Sequence, residues 1–318
     1  HLYPAASLVK VVTTEATLRH APAAADAPCR FVGSPYRLTR SRVDPPSRGR
    51  ESSLLRALAI SNNQCFAQLA VHHLGTERLL ESFARFGLLE SPAPGHPAGL
   101  ASDPGEDALA LGRLGSGLDG LRITPLHAAR MAAMLSHGRL VTPQWVARAS
   151  DALGRDLALP VFPDREALSP ETTEQLRMML VETTRRGTAS RAFRTRRGRP
   201  LLQDVTVAGK TGSLSGDEPK GRYEWFIGVA PAEAPRVAVA VLVVQGELYW
   251  ATSSQVAAEL LKELFCPKGV CAPDAVQRFF PATDRAGEPA VPATEKAGSR
   301  SATPATQAAG QPAETRAG

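Results

Sequence analysis

The chain has 318 residues, enough for one large domain or two of ordinary size. Its composition, 43% hydrophobic and 21% charged, is that of a soluble globular protein and excludes both a bundle of membrane helices and a wholly disordered chain. The net charge of +6 suits a surface that faces an anionic polymer or a membrane. The sequence has no zinc-ligand spacing, aromatic RNA motif or leucine heptads, so we predict no nucleic-acid partner.

Hydrophobic periodicity predicts helices in the first part of the chain. The helical ranges are 5–18, 52–74, 76–86, 124–137 and 171–184. Thr124 and Pro125 are the N-cap and the first-turn proline of the fourth helix. Stretches rich in Pro, Arg, Ser and Gly predict irregular loops at 29–50 and 91–105.

The pattern then changes to that of strands. Apolar and β-branched runs predict consecutive antiparallel strands at 205–208, 225–230 and 236–245. A final helix over 254–265 carries one apolar stripe, which we expect to pack on this sheet. Beyond Phe280 the chain is rich in Ala, Pro, Thr, Gly and Glu, which cannot bury enough surface to fold. We therefore predict a folded domain over 1–272 and a disordered tail over 273–318.

The four cysteines do not indicate a metal site. Cys29, Cys65, Cys266 and Cys271 match no zinc spacing, and the sequence has no CxxC motif. We predict neither a metal nor a cofactor. Cys266 and Cys271 flank a short turn that a disulfide could close in an oxidising compartment, although two unpaired thiols fit the sequence equally well.

Ser7 and Lys10 form a Ser-x-x-Lys motif at the start of the first predicted helix. The i,i+3 spacing places both side chains on one face, and the helix N-terminus offers N–H groups to a developing oxyanion. A serine hydroxyl needs a neighbouring base, and a lysine can act as one when burial or nearby cations lower its pKa. An N-cap serine followed by an exposed lysine would give the same pattern.

Two further polar motifs follow along the chain. Ser61 and Asn63 interrupt an apolar helical pattern, which indicates either a helix-to-helix turn capped by Ser61 or a polar cleft. Lys210, Thr211 and Gly212 follow a predicted strand, where alternation points Lys210 and Gly212 to one side and Thr211 to the other. A hairpin end without catalytic function would also fit these three residues.

Taken in this order, the three motifs resemble those of penicillin-binding protein transpeptidase domains and the related β-lactamases. Other segments look like the family in the same order: 3–7, 57–63, 123–129, 187–189, 207–212 and 225–231. The resemblance covers about residues 2–265. It implies an α+β fold, an α/β sandwich of the β-lactamase and transpeptidase type. An antiparallel sheet flanked by the first and last helices would carry an all-helical second lobe, with the active site between the lobes.

The resemblance also implies the activity. The chain would be a peptidoglycan D,D-transpeptidase that cross-links stem peptides ending in D-alanyl-D-alanine through a serine acyl-enzyme, and it would bind penicillin covalently. Ser7 would be the nucleophile and Lys10 its base. Ser61 would relay a proton, and Asn63 would bind Lys10 or a substrate amide. Lys210 would supply positive potential, Thr211 would bind the substrate carboxylate, and Gly212 would leave room for substrate. The backbone N–H groups of Ser7 and Ser213 would form the oxyanion hole.

Two other functions remain open. One is a hydrolase, either a D,D-carboxypeptidase or a β-lactamase, although residues 61–90 show no obvious deacylating glutamate motif. The other is a non-catalytic envelope scaffold or a β-lactam sensor that stays acylated. Ser213 stands where threonine is common in the family, and the loop over 33–50 is unusually basic without an assigned role.

The family resemblance also implies partners and a location. Expected partners are stem peptides, β-lactams and a glycosyltransferase or cell-wall synthesis complex. The family has a helix and strands before its nucleophile helix, whereas six residues precede Ser7. Either these strands lie in an absent upstream region, or the sheet is incomplete and its edge is exposed. We expect a membrane anchor in the absent upstream region. The expected location is the periplasmic side of the cytoplasmic membrane, in the cell envelope.

Overall fold

The fold is described from a computed structural model, which describes residues 1–146, 148–159 and 162–279. The helices are α1 (Val9–His20), α2 (Pro22–Asp26), α3 (Leu54–Ala59), α4 (Asn63–Leu69), α5 (Gly75–Arg85), α6 (Ala108–Ser116), α7 (Pro125–His137), α8 (Pro170–Arg185) and α9 (Ser253–Phe265). Short 3-10 turns lie at Ala6–Leu8, Arg40–Arg42, Pro267–Gly269 and Ala275–Arg278, and a π-helical turn at Ala70–Leu74. None of the described helices is long and apolar enough to cross a membrane.

The strands fall into one large sheet and several short pairs. They are β1 (Tyr3–Pro4), β2 (Cys29–Phe31), β3 (Arg50–Ser52), β4 (Leu100–Ala101), β5 (Leu121–Ile123), β6 (Arg139–Leu140), β7 (Ala149–Ser150), β8 (Asp156–Leu157), β9 (Arg165–Glu166), β10 (Ala208–Asp217), β11 (Lys220–Ala230) and β12 (Val237–Gln245). The large sheet is antiparallel in the order β10-β11-β12, and a smaller sheet has the order β1-β5-β4.

The two faces of the large sheet pack on different helices because strand side chains alternate. On one face, Trp225, Ile227 and Val229 of β11 belong to the core that the helical lobe shares. On the other face, Phe226 and Ala230 pack with the apolar stripe of α9. The packing of the last helix on the sheet is therefore confirmed.

The helices that pack on the sheet face opposite α9 differ from the expectation. We predicted that the first helix would lie on the sheet, but α1 packs among helices, against α5 and α6. The sheet contacts α7 and α8 instead, together with the 3-10 turn Ala6–Leu8. The reason is that α1 is buried through most of its length, with Val9–Thr17 all inaccessible, so it forms the centre of the helical lobe rather than one layer of a sandwich.

Several predicted boundaries are wrong, and α2 and α6 were not predicted, while the other predicted helices lie within a few residues of their ranges. The predicted helix over 52–74 is three segments, broken at residues 60–62 and again at the π-helical turn. The loop predicted over 29–50 begins and ends with the paired strands β2 and β3. The first strand of the sheet starts at Ala208, because Val205 and Val207 are buried in the α9 core without belonging to β10.

The described chain continues past residue 272. The turn Ala275–Arg278 buries Val276 in the core under α9, and the Arg278 guanidinium donates to the Glu263 carbonyl. Packed structure thus reaches seven residues into the predicted tail. The remainder of that prediction, from Phe280 onward, lies outside the described residues.

Two disulfides link the four cysteines: Cys29–Cys65 and Cys266–Cys271. The second is one of the two alternatives left open by the sequence. The first pairing was not predicted, because its cysteines lie 36 residues apart and meet only when β2 packs on α4. This bond ties the basic loop to the helix that follows Ser61.

Removal of the Cys29–Cys65 bond is expected to lower the free energy of unfolding by about 3–4 kcal/mol, because the bond restricts a long loop in the unfolded chain. Urea unfolding of the double alanine variant measures the loss. The Cys266–Cys271 pair, with a separation of 5, is the matched control and should cost about 2 kcal/mol. Equal losses for the two pairs would contradict the loop-length explanation.

Candidate active site

Ser7 lies in the 3-10 turn that leads directly into α1. The strand before it is fixed by pairing of β1 with β5 and by the Trp225 indole N–H, which donates to the Pro4 carbonyl at 2.9 Å. Ala6 has a φ of +50°, a conformation that L-residues rarely adopt. Such strain persists only where surrounding structure imposes it, and here it sets the hydroxyl of Ser7 at the cleft.

Lys10 is fully buried one turn after Ser7. Its Nζ lies 2.7 Å from Ser7 Oγ, 2.7 Å from Asn63 Oδ1 and 2.5 Å from the Ser116 carbonyl. Burial, and next the nearby charge of Lys210, hold the pKa of Lys10 well below the ordinary lysine value. The amine can therefore become neutral and take a proton from the serine that it contacts.

Ile60, Ser61 and Asn62 form a turn between α3 and α4, and Asn63 begins α4. The two alternatives drawn from the sequence, a helix-to-helix turn and a polar cleft, are therefore both present. The cap of the turn differs from the prediction: Asn62, and not Ser61, accepts from the N–H groups at the start of α4. Ser61 has a φ of +59°, which releases its side chain from the helix and aims it into the cleft. Asn63 bridges two elements, accepting from Lys10 and donating to the Tyr36 carbonyl at 2.7 Å.

Lys210 is the second fully buried lysine, on β10. Its Nζ donates to Ser61 Oγ at 3.1 Å and to the Thr211 carbonyl at 2.7 Å. Burial lowers the pKa of Lys210 to about 7. The two lysine side chains therefore lie on either side of residues 61–63, where Lys10 contacts Asn63 and Lys210 contacts Ser61.

Thr211, Gly212 and Ser213 form the strand wall of the cleft. As alternation predicts, Thr211 turns away from Lys210, and its hydroxyl lies 2.5 Å from that of Thr188. A Cβ on Gly212 would lie 3.2 Å from Ala6 Cβ and 3.3 Å from the Ser7 nitrogen. A side chain at this position would need the nucleophile turn to shift by a few tenths of an ångström, so glycine suits the close approach of β10.

These residues surround one cavity of about 620 Å³. Ser7, Ser61, Asn63, Thr211, Gly212 and Ser213 line it, and Lys10 and Lys210 lie beneath its surface in contact with Ser7 and Ser61. All eight residues predicted from the sequence are thus brought together. Among the described residues, no group of three or more His, Cys, Asp or Glu side chains is placed to hold a metal ion.

Some cleft residues had no assigned role in the sequence analysis. They are Tyr36, Thr188, Arg222, Glu224 and residues 252–254. Beneath the cleft, the buried Ser116 also had no assigned role, although its carbonyl accepts from Lys10. Thr188 belongs to a segment that already resembled the family, so its sequence carried a signal. Glu224 gave none, because it lies just before the predicted strand 225–230, where an acidic residue is ordinarily exposed.

The chemistry available here is acyl transfer by an activated serine. A hydroxyl contacts a lysine whose pKa is lowered, and a second lysine supplies positive potential beside it. The arrangement can form an ester on Ser7 and transfer the acyl group onward.

Comparisons with known proteins agree with this geometry. The family described as the penicillin binding protein transpeptidase domain matches residues 2–265. The peptidoglycan D,D-transpeptidase PbpA of Mycolicibacterium smegmatis is 30% identical over 262 residues, which is 77% of this chain and 50% of that protein. The chain thus spans about half the length of the curated relatives it matches.

Solved structures show the same fold. A crystal structure of PBPA from Mycobacterium tuberculosis is 28% identical, has a TM-score of 0.65, and covers 81% of this chain and 60% of its own. Its imipenem acyl-enzyme complex, also 28% identical with a TM-score of 0.61, covers 81% of this chain and 58% of its own. The α+β architecture with an antiparallel sheet and a helical lobe is therefore confirmed. Because the family model matches most of its length, the chain belongs to the penicillin-binding protein transpeptidase domain family.

Proposed function

We propose that the chain is the catalytic domain of a peptidoglycan D,D-transpeptidase that works through an acyl-enzyme on Ser7. The observation that carries the proposal is the contact of Ser7 Oγ with the Nζ of Lys10, whose pKa is lowered. A hydroxyl in contact with a buried, readily neutral amine is the arrangement that serine acyl transfer needs. The curated relatives are named for the same activity.

In the first half-reaction, Ser7 Oγ attacks the carbonyl carbon of the penultimate D-alanine while its proton passes to Lys10. The backbone N–H groups of Ser7 and Ser213 stabilise the oxyanion. As the peptide C–N bond breaks, Lys10 gives up this proton, which the Ser61 hydroxyl relays to the leaving nitrogen, and the terminal D-alanine departs. Asn63 holds Lys10 in place.

Substrate binding is the task of the strand wall. Thr211 binds the terminal carboxylate of the stem peptide, Lys210 supplies positive potential from beneath the cavity surface, and Gly212 leaves room for the substrate backbone. In the second half-reaction an acceptor amine attacks the Ser7 ester and loses a proton to Lys10. The ester C–O bond breaks, Lys10 returns the proton to Ser7 Oγ, and the peptide cross-link is formed.

β-Lactams would open on the same serine. Structures of the M. tuberculosis protein are described as imipenem, ceftriaxone and penicillin G acyl-enzyme complexes. Because Ser7 here occupies the corresponding motif, we expect a stable ester between Ser7 and a penicillin.

We further propose that the protein acts on the periplasmic side of the cytoplasmic membrane, held by an anchor upstream. The substrate is assembled outside the cytoplasm, and two disulfides suit an oxidising compartment. A role in cell shape and a partner glycosyltransferase or cell-wall synthesis complex follow from the same proposal.

The test is an intact mass after incubation with penicillin G, followed by peptide mapping and by assay with a D-alanyl-D-alanine peptide and an amine acceptor. The proposal predicts one adduct, located on Ser7, and a cross-linked product. No adduct on a chain that circular dichroism shows to be folded would favour the scaffold. Hydrolysis without aminolysis would favour the hydrolase, and an adduct without any turnover of peptide would favour the sensor.

A further inference from the structure

One end of the cleft holds a carboxylate that the proposed mechanism does not use. Glu224 of β11 lines the cavity that contains Ser7, yet it is only 6% exposed. Its Oε1 lies 3.3 Å from Arg222 Nε. Its Oε2 is buried and has no hydrogen-bond partner among the described residues.

The strand register places this carboxylate beside the substrate wall. Glu224 is the cross-strand partner of Ser213, and cross-strand partners lie on the same face of a sheet. Arg222 connects the two, since its Nε donates to Ser213 Oγ at 2.7 Å and also lies next to Glu224. The first residues of α9, Thr252, Ser253 and Ser254, line the same end of the cavity.

A buried carboxylate with one unpartnered oxygen is costly unless a ligand completes its hydrogen bonds. Arg222 offsets only part of the cost of burying this carboxylate, because the Arg222 side chain is 60% exposed and its Nε also donates to Ser213. A cationic N–H donor satisfies Oε2, whereas an anionic group would be repelled. The ligand chemistry that fits is therefore a primary ammonium.

We infer that this end of the cleft is a subsite for a primary ammonium group of the peptidoglycan stem peptide, with Glu224 as its counter-ion. The inference rests on the proposed function. Two ammonium groups meet this description: a side-chain amine of the donor peptide, and the acceptor amine before it attacks the Ser7 ester. Glu224 binds and does not react, and Arg222 positions it.

The test uses the Glu224→Gln variant, which removes the charge and keeps the shape. Its matched control is Glu259→Gln, an exposed glutamate on α9 outside the cleft. The donors are Nα-acetyl-L-lysyl-D-alanyl-D-alanine and its Nε-acetylated form, which differ by one ammonium. The acceptor arm measures how the acyl-enzyme divides between aminolysis and hydrolysis.

If the donor amine binds here, Glu224→Gln lowers kcat/KM for the free-amine donor by about ten- to a hundredfold and leaves that for the acetylated donor within about twofold. If the acceptor amine binds here, acylation is unchanged and the aminolysis share falls about tenfold. Glu224→Asp should restore part of either loss. The inference would be overturned if Glu224→Gln changed neither kcat/KM for the free-amine donor nor the share of aminolysis.

Two further measurements distinguish failure of the subsite from failure of the proposed function and from misfolding of the variant. If penicillin forms no adduct on wild-type Ser7, the proposed function fails and not merely the subsite. If Glu224→Gln does not fold, the wild-type chain still decides the matter through two comparisons. If the donor amine binds at Glu224, the wild-type chain should acylate faster with the free-amine donor than with the acetylated donor. If the acceptor amine binds there, both donors should acylate equally, and high salt should lower the rate of aminolysis. Neither effect in wild type would also overturn the inference.

Discussion

The Lys10→Met variant is expected to acylate with penicillin about a thousandfold more slowly than wild type, or slower still, while remaining folded. Methionine keeps the length and apolar volume of the buried chain but cannot take the Ser7 proton, and loss of a general base typically costs 10²–10⁴-fold. Ser7→Ala should lose the adduct altogether. The measurement is the rate of labelling by a fluorescent penicillin. Limiting concentrations give the second-order rate constant, and saturating concentrations give the first-order rate constant of acylation.

The matched control for this prediction is Lys262→Met, an exposed lysine on α9 that pairs with Glu259. It should label at the wild-type rate. A Lys10→Met variant that is folded and labels within tenfold of wild type would show that another group removes the Ser7 proton.

The pH profile gives a second signature of Lys10. Because burial and the charge of Lys210 lower its pKa, neutral Lys10 should be populated well below the ordinary lysine range, and acylation should rise with pH there. The two buried lysines interact, so the observed midpoint belongs to the pair.

The second large effect concerns Lys210. Lys210→Met should acylate at least about a hundredfold more slowly with carboxylate-bearing substrates, because the cation beside Thr211 is lost. Yet at pH 7 it should be more stable than wild type by about 2–3 kcal/mol. Lowering the pKa of a buried lysine from its ordinary value to about 7 corresponds to about 5 kcal/mol, and the lost hydrogen bonds offset part of this.

The sign of this stability difference sets its pH dependence. The folded pKa of Lys210 lies below the unfolded value, so between about pH 7 and the ordinary lysine pKa the unfolded chain binds more protons. Wild-type stability therefore rises with pH through this window, and the advantage of Lys210→Met should shrink between pH 7 and pH 10. Urea unfolding at both pH values measures it. A difference that stays constant with pH would contradict the desolvation explanation.

The sequence alone determined much of the site because its signals are local. An i,i+3 spacing on a helix places Ser7 and Lys10 together, and alternation on a strand separates Lys210 from Thr211. The order of the three motifs indicated the family, and hydrophobic periodicity located most helices and two of the three long strands. Each of these patterns spans only a few residues, so each is set by local backbone geometry.

Only the tertiary structure decided how these pieces meet. Lys10 reaches the Ser116 carbonyl across 106 residues and Lys210 reaches Ser61 across 149, and no periodicity encodes such contacts. The break at Ser61, the Cys29–Cys65 bond and the burial of Glu224 likewise depend on which elements pack together. Burial then sets the chemistry, since the same lysine that would be an ordinary cation on the surface becomes a base when packing removes its water.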